Sequence, residues 1–304
     1  MQRTDRLLPP PNALPAGSSQ RAALRAEFAS LSLKHLVLSV LCFLLLLPFV
    51  WMVLTSLKPL AEVGLESWLP TEAQWSNYLT VFQQGRLSRN STDVRFGLFY
   101  WNSIFVASWA TFLQVLTSAM AAFAFTRLTW PGRDKVFLLY LSTMMLPGLV
   151  MMIPNYQLMI NLHLVDSLAG LIIPSGVTAF GTFLLRQFML GIPRSLDEAA
   201  AIDGAGRWRV FWDVILPLSR PALVTLAILS FVGNYQSFFW PLVMLKSTEN
   251  YTLPVGLLYF DSSAGQATHL LMAAVTMSVV PMIVLFVLMQ KYVVKGIQLG
   301  AVKE

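Results

Sequence analysis

The sequence predicts an all-α membrane protein with six transmembrane helices and both termini in the cytoplasm. Three observations predict it. Only 12% of the 304 residues are charged, 56% are hydrophobic and the mean hydropathy is +0.63, whereas soluble domains carry roughly 25% charged residues. Six apolar stretches can be marked, at 36–57, 100–125, 136–156, 168–190, 221–245 and 268–290. The basic residues gather in four segments that alternate with these stretches in one sense.

Taken in order, residues 1–34 form a cytoplasmic tail. Its first 20 or so hold Pro9, Pro10, Pro11, Pro15 and Gly17 and show no periodic apolar face, which predicts disorder. The stretch 35–290 is the membrane domain and 291–304 a second cytoplasmic tail. Each apolar stretch is about 20 residues or longer, and at ~1.5 Å per residue that crosses a hydrocarbon core about 30 Å thick. Lipid offers no partner to open backbone groups, so such stretches are helices. Cys42 lies in the first and has no second cysteine to pair with. With no small-residue cleavage site after it, that first span acts as its own uncleaved insertion signal. Residues 58–99 hold Trp68, Trp75, Tyr78 and Phe82, which suit a short amphipathic helix at the headgroup level. In the second span Ser108, Ala110, Thr117, Ser118, Ala119, Ala121 and Ala122 permit close helix contact. Pro48, Pro147, Pro154, Pro174, Pro241 and Pro281 fall inside spans, where neighbouring helices can meet the freed carbonyls.

The formal charge of +6 reflects orientation and not nucleic acid. Arg3, Arg6, Arg21, Arg25 and Lys34 precede the first span. Arg127, Arg133 and Lys135 follow the second, Arg186, Arg194, Arg207, Arg209 and Arg220 flank the fourth and fifth, and Lys291, Lys295 and Lys303 close the chain. Lys58, Arg86, Arg89, Arg95 and Lys246 are what the other side holds. The positive-inside rule therefore places both termini in the cytoplasm.

The connection 191–220 carries the most local information. Ser195 and Glu198 have the spacing of a capping box, Ala199, Ala200 and Ala201 extend a helix at low entropic cost, and Gly204 and Gly206 permit the positive φ that ends it. Residues 207–216 suit a second helix with Val210, Phe211 and Val214 on one side, closed by Pro217. The product is a helix, turn, helix knob.

This segment, EAAAIDGA followed by VILP, resembles the EAA loop of permease subunits of binding-protein-dependent ABC importers. The matching residues are Glu198, Ala199, Ala200, Gly204, Val214, Leu216 and Pro217, with Val214 standing where isoleucine is usual. NSIFVASWATFLQVLTSAMAAFAFTRL from Asn102, SFVGNYQSFFWPLVML from Ser230, YTLPVGL from Tyr251 and the ending QKYVVKGIQLGAVKE are similar to the carbohydrate branch, and most of all to the maltose-type second permease with six helices. Glu304 departs from the glycine common there. The resemblance implies a type I importer permease fold. It also implies that Ser195, Asp197, Glu198, Ala199, Ala200, Asp203, Gly204, Leu216 and Pro217 form the coupling surface for an ATPase. The implied partners are a second homologous permease, two ATP-binding cassette subunits that hold ATP and Mg, and an extracytoplasmic solute-binding protein. The segment 246–267, with the polar tip Asp261, Ser262, Ser263, Gly265 and Gln266, corresponds to a loop that reaches into the binding protein.

The six spans contain no Asp or Glu. Carriers driven by protons or sodium usually keep a carboxylate at depth, and no GxxxxGK[ST] phosphate loop occurs here, so the driving force comes from a nucleotide bound on another chain. Neutral polar and aromatic groups at depth suit a sugar: Asn155 and Tyr156 in the third span, and Asn234, Tyr235, Gln236 and Ser237 in the fifth. Helix-to-helix hydrogen bonding is the competing role for each. His163 and His269 lack neighbours at metal-ligand spacing, and no catalytic set is present, which argues against an intramembrane enzyme. A permease for glycerol phosphate or an amino acid is the remaining alternative. An anion would call for Arg or Lys in the passage, and Arg186 alone qualifies.

Overall fold

A computed structural model describes residues 16–64, 67–83, 95–264 and 268–301, with side chains for 31–64, 67–82, 95–258 and 268–290. The described residues are helical, with no strand among them. The chain divides into two units, Met1–Leu54 and Thr55–Glu304.

The first unit is occupied by α1, Ala16–Ser56. Its stretch Leu31–Ser56 is long and apolar enough to cross a membrane. The expected tail 1–34 is therefore helical from Ala16 onward, because QRAALRAEFASL is built from strong helix formers; residues 1–15 lie outside the described residues. At the other end α14, Thr268–Ala301, likewise continues through most of the expected 291–304 tail.

The second unit contains α2 (Ser76–Gln83), α3 (Phe96–Arg127), α4 (Arg133–Ser142), α5 (Gly148–Asn161), α6 (Ala169–Ser175), α7 (Ala179–Leu190) and α8 (Ser195–Ile202). Then come α9 (Arg207–Arg209), a π-helical turn (Val210–Ile215), α10 (Leu216–Leu218), α11 (Arg220–Tyr235), α12 (Phe239–Met244), α13 (Leu253–Ala264) and α14. Of the six expected spans, the first, second and sixth are single helices, and the other three are bent.

Two of the three bends have a local cause. Arg133–Met145 meets Gly148–Asn161 at 101°, because Pro147 forces Leu146 into an extended conformation, φ −78° and ψ 120°. Ala169–Ser175 meets Ala179–Leu190 at 41°; Thr178 is extended there and its hydroxyl accepts from the Gly181 N–H. Carbonyls freed at this second bend are met by α3, with Gln114 Nε2 donating to Ser175 O at 2.6 Å and Thr117 Oγ1 to Gly176 O at 2.6 Å. The stretch Arg207–Leu218 turns into Arg220–Tyr235 at 76°. The fifth span also breaks over 236–238 before α12.

Helix α3 is the spine, lying against α7 and α11. A Cβ on Gly181 would sit 2.5 Å from Ser118 Oγ and 3.1 Å from Leu226 Cδ1, so the three helices meet at a glycine. The small residues Ala110, Ser118, Ala119 and Ala122 are buried on α3, while Ser108 faces outward. One buried cluster surrounds the start of α3, with Phe96, Phe99, Met159, Tyr235, Met244 and Leu253. A second surrounds its end, with Ala119, Ala122, Phe123, Leu185, Met189, Val210, Phe211, Ile215, Ala222 and Leu226.

The segment 246–267, read from the sequence as a loop, is largely helical. A 3-10 turn, Thr248–Asn250, leads into α13, whose first amide, Leu253 N–H, donates to Ser103 Oγ at 2.7 Å. Asp261, Ser262 and Ser263 thus belong to the last turns of a helix; Gly265 and Gln266 lie outside the described residues.

Candidate functional site

The knob 191–220 is built from its own backbone first. Arg194 is already helical, φ −68° and ψ −23°, and accepts the N–H groups of Asp197 and Glu198 at 2.9 and 3.1 Å. Ser195 therefore lies inside the helix. An N-cap needs extended backbone, so the expected capping box of Ser195 with Glu198 does not form. The far end does close as the glycine predicts: Gly204 has φ +81°, Ala205 N–H reaches Ala200 O at 2.9 Å and Gly204 N–H reaches Ala201 O at 3.1 Å. That is a Schellman closure. Gly206 is extended with φ −68°, so one glycine and not two takes the left-handed turn.

The second arm is not a plain α-helix. Pro217 has no N–H to offer Asp213 O, and the ladder just before it widens to π spacing, with Leu216 N–H on Phe211 O. The widening brings Ile215 to the buried face beside Val210 and Phe211, where regular spacing would put Val214, which is half-buried. Pro217 does not close the arm, which runs to Leu218. Phe211 is fully buried and its ring lies 5.2 Å from that of Phe123, with Trp208 and Trp212 edge-on at 6.1 and 5.1 Å. The knob and the ends of α3, α7 and α11 thus share one core.

A guanidinium that the sequence reading counted only as an orientation mark fastens the first arm. Arg127, the last residue of α3, places Nη1 3.2 Å from Asp197 Oδ2 and donates through Nη2 to Met189 O and Ile192 O at 3.1 and 2.9 Å. Asp197, expected on the outer surface, is therefore turned inward. Ala200 packs inward as well, against the shared core, while Glu198, Ala199 and Asp203 are exposed. The knob also exposes the apolar side chains Leu196, Trp208, Trp212 and Ile202, the last 87% exposed. This face offers one carboxylate in a helix first turn, together with apolar groups unprotected by their own chain. It suits a groove on another protein.

The six solute candidates are not brought to one place. Asn234 donates to Gln114 Oε1 at 3.3 Å and, with Ser237, Ser103, Ser175 and Thr252, lines an internal cavity of about 50 Å³. A drug-sized ligand needs roughly 300 Å³ or more, so this cavity has room for water and not for a sugar ring. Tyr235 is buried and its hydroxyl donates to Ser278 O at 2.9 Å, which commits it to pinning α11 on α14. Gln236 is exposed at the break and Asn155 is exposed on α5. Tyr156 opens instead on a recess of about 460 Å³ shared with Ile160, His163, Val165 and Lys246. Arg186 is engaged, 3.7 Å from Asp134 and 4.1 Å above the Phe137 ring.

At the end of the bundle opposite the knob, Asp166 joins two connections. It is left-handed, φ +59°, a conformation that Asp tolerates better than most residues. Its carboxylate accepts from Lys246 N–H and Ser247 N–H at 2.9 Å each, and from the Ser247 hydroxyl. Asn250 Nδ2 donates to Asp166 O at 2.6 Å. Desolvation raises the Asp166 pKa, but the hydrogen bonds from Ser247, Lys246 and Asn250 outweigh it and take the carboxyl down to about 2. Beside it Asn102 donates to Glu249 O and Tyr251 O at 2.9 and 3.1 Å, tying α3 to the same connection.

Among the described residues no group of three or more His, Cys, Asp or Glu is placed to hold a metal ion.

Residues 114–299 match the family described as binding-protein-dependent transport system inner membrane component. The chain is 34% identical over 272 residues to the arabinooligosaccharides transport system permease protein AraQ of Halalkalibacterium halodurans, covering 87% of this chain and 97% of that one. It is 35% identical over 231 residues to the sn-glycerol-3-phosphate transport system permease protein UgpE of Yersinia pestis, covering 75% and 81%. Among solved structures it is similar to a chain from the crystal structure of a bacterial ABC transporter involved in the import of the acidic polysaccharide alginate. The TM-score is 0.77 at 25% identity, with 88% of this chain and 98% of that one covered.

Proposed function

Because this chain belongs to the family of binding-protein-dependent transport system inner membrane components, we propose that it is one of two pore-forming permeases of an ATP-driven importer for a neutral sugar or sugar-like solute. The solute class is an oligosaccharide, disaccharide or glycoside, delivered by an extracytoplasmic binding protein. In this reading the bent pairs 133–161 and 169–190 are each one span and α11 with α12 is the fifth, the six spans cross the cell membrane with both termini in the cytoplasm, and in a cell with two membranes the inner one is meant. The assembly also contains a second homologous permease and two ATP-binding cassette subunits, which hold ATP and Mg. The observation that carries the reading is the exposed face of the knob. The knob exposes Glu198 and Ala199 together with Leu196, Ile202, Trp208 and Trp212, and its core is shared with the ends of three bundle helices.

Docked in a groove of the ATPase, this face would follow the approach and separation of the two ATPase subunits. The shared core would pass that displacement to α3, α7 and α11, and so open the passage to one side at a time. Neutrality of the solute rests on the spans, which hold no carboxylate and whose one candidate cation, Arg186, is taken up by Asp134 and Phe137. A second reading, an acidic saccharide, is favoured by the recess that places Lys246 and His163 beside Tyr156.

Glu198→Lys tests the coupling surface. The substitution opposes the helix dipole at a first turn and reverses the charge shown to the partner. Co-purification of the ATPase should fall about tenfold or more, equivalent to a loss of about 1.4 kcal/mol at the contact, with membrane insertion intact. Wild-type co-purification and uptake in this variant would refute the reading. Stimulation of hydrolysis by neutral against uronic oligosaccharides decides between the two solute classes.

A further inference from the structure

The ion pair at the base of the knob has no part in the docking face just described. Arg127 has a side chain only 6% exposed and Asp197 one of 23%. The guanidinium gathers three elements at a point: the first turn of α8 through Asp197, the last turn of α7 through Met189 O, and the linker through Ile192 O. Arg194 adds a long contact, 3.4 Å, back to Thr126 O on α3. Stability is a poor explanation for such a pair. Withdrawing both charges from water offsets most of their attraction, and an apolar pair of similar volume holds a site of this kind as well or better. What a guanidinium fork supplies and an apolar pair does not is fixed direction, because its N–H groups leave the plane at set angles.

We propose that Arg127 and Asp197 form a positioning pair for transport, a strut that sets the angle of α8 on α3 so that displacement of the knob is delivered to the bundle and not dissipated at the joint. This inference rests on the coupling reading above and assigns Asp197 to the joint, away from the partner face.

The test compares the whole transporter carrying wild-type, Asp197→Asn, Asp197→Glu, and Arg127→Met with Asp197→Leu. The double variant replaces the ions by side chains of similar volume and so retains the fold where the single neutral variant does not. In the double variant, and in Asp197→Asn where it folds, the ATPase should co-purify at wild-type stoichiometry. Uptake should fall about tenfold, within the range of ordinary coupling free energies, and hydrolysis should no longer rise when solute-loaded binding protein is added. Asp197→Glu, which keeps the carboxylate, should recover most of the uptake. Wild-type uptake in the double variant would overturn the proposal, since packing alone would then suffice. Loss of the ATPase from the double variant, or from Asp197→Asn that is folded and membrane-inserted, would also overturn it, by making Asp197 a partner contact. A wild-type assembly that captures no ATPase would instead sink the coupling reading beneath it.

Discussion

Asp166 shows how much a single carboxylate can hold together at an exposed joint. It caps the start of 246–250 from a left-handed backbone position, and the caps keep its carboxyl at about 2 where 3.8 is ordinary. A carboxyl depressed on folding stabilises the folded state fully above pH 3.8, and that contribution fades as pH falls through about 2. The purified protein should therefore lose thermal stability on acidification across that window. Asp166→Asn should lack that step and unfold earlier at pH 7. The cost is roughly 1 kcal/mol, the low end for charge-assisted bonds because the loop is exposed; identical acid profiles for the two proteins would rule the role out. None of this was readable in the sequence, where Asp166 is one polar residue between apolar spans. Arg127 was missed for a related reason: a basic residue at a span end satisfies the positive-inside rule whether or not it also binds something. Gly204 was readable because a residue without Cβ after a run of alanines has a single backbone use. Gly206 had the same composition signal and no such use.

At the scale of elements, apolar length identified the helices, but proline did not by itself mark the joints: Pro48, Pro154 and Pro281 lie inside continuous helices. Pro147 and Pro174 lie in similar apolar runs, yet one joint turns by 101° and the other by 41°. The milder one is braced by Gln114 and Thr117 of α3. The second arm of the knob was misread because the π turn advances the buried face by one residue, from Val214 to Ile215, and a 3.6-residue period cannot register that. Phe211 is buried under either period. Its removal tests whether the knob is one body with the bundle: Phe211→Ala should cost about 3–5 kcal/mol and expose 191–220 to protease while α3 stays folded. Uniform destabilisation of the whole chain, with no selective cleavage in the knob, would show that the arm has no stability of its own to lose. Gly181→Val probes the other contact of α3. Its added carbons would enter space held by Ser118 and Leu226, and overpacking at such a crossing costs about 1–3 kcal/mol. A thermal midpoint unchanged from wild type would place the three helices farther apart than described.

At the scale of the whole molecule, the orientation proposed from the basic residues puts the knob in the cytoplasm and the connection 246–250 outside. Helix α11 alone, at ~1.5 Å per residue, spans about 24 Å and falls short of a hydrocarbon core of about 30 Å. With α12 beyond the break at 236–238 the fifth span is long enough, and residues 202 and 249 must then lie on opposite faces of the membrane. The sequence makes this simple to test, since Cys42 is its one thiol. In a Cys42→Ser background expressed without the ATPase subunits, Ile202→Cys should react with an impermeant maleimide in inside-out vesicles and not in right-side-out ones, and Glu249→Cys should do the reverse. Both positions are exposed, so neither substitution disturbs packing, and the contact that Glu249 makes to Asn102 is through its backbone. Labelling of both sites from the same face would mean that the broken fifth span re-enters without crossing. The knob would then share a compartment with the connection capped by Asp166, and an ATPase could not reach one without meeting the other.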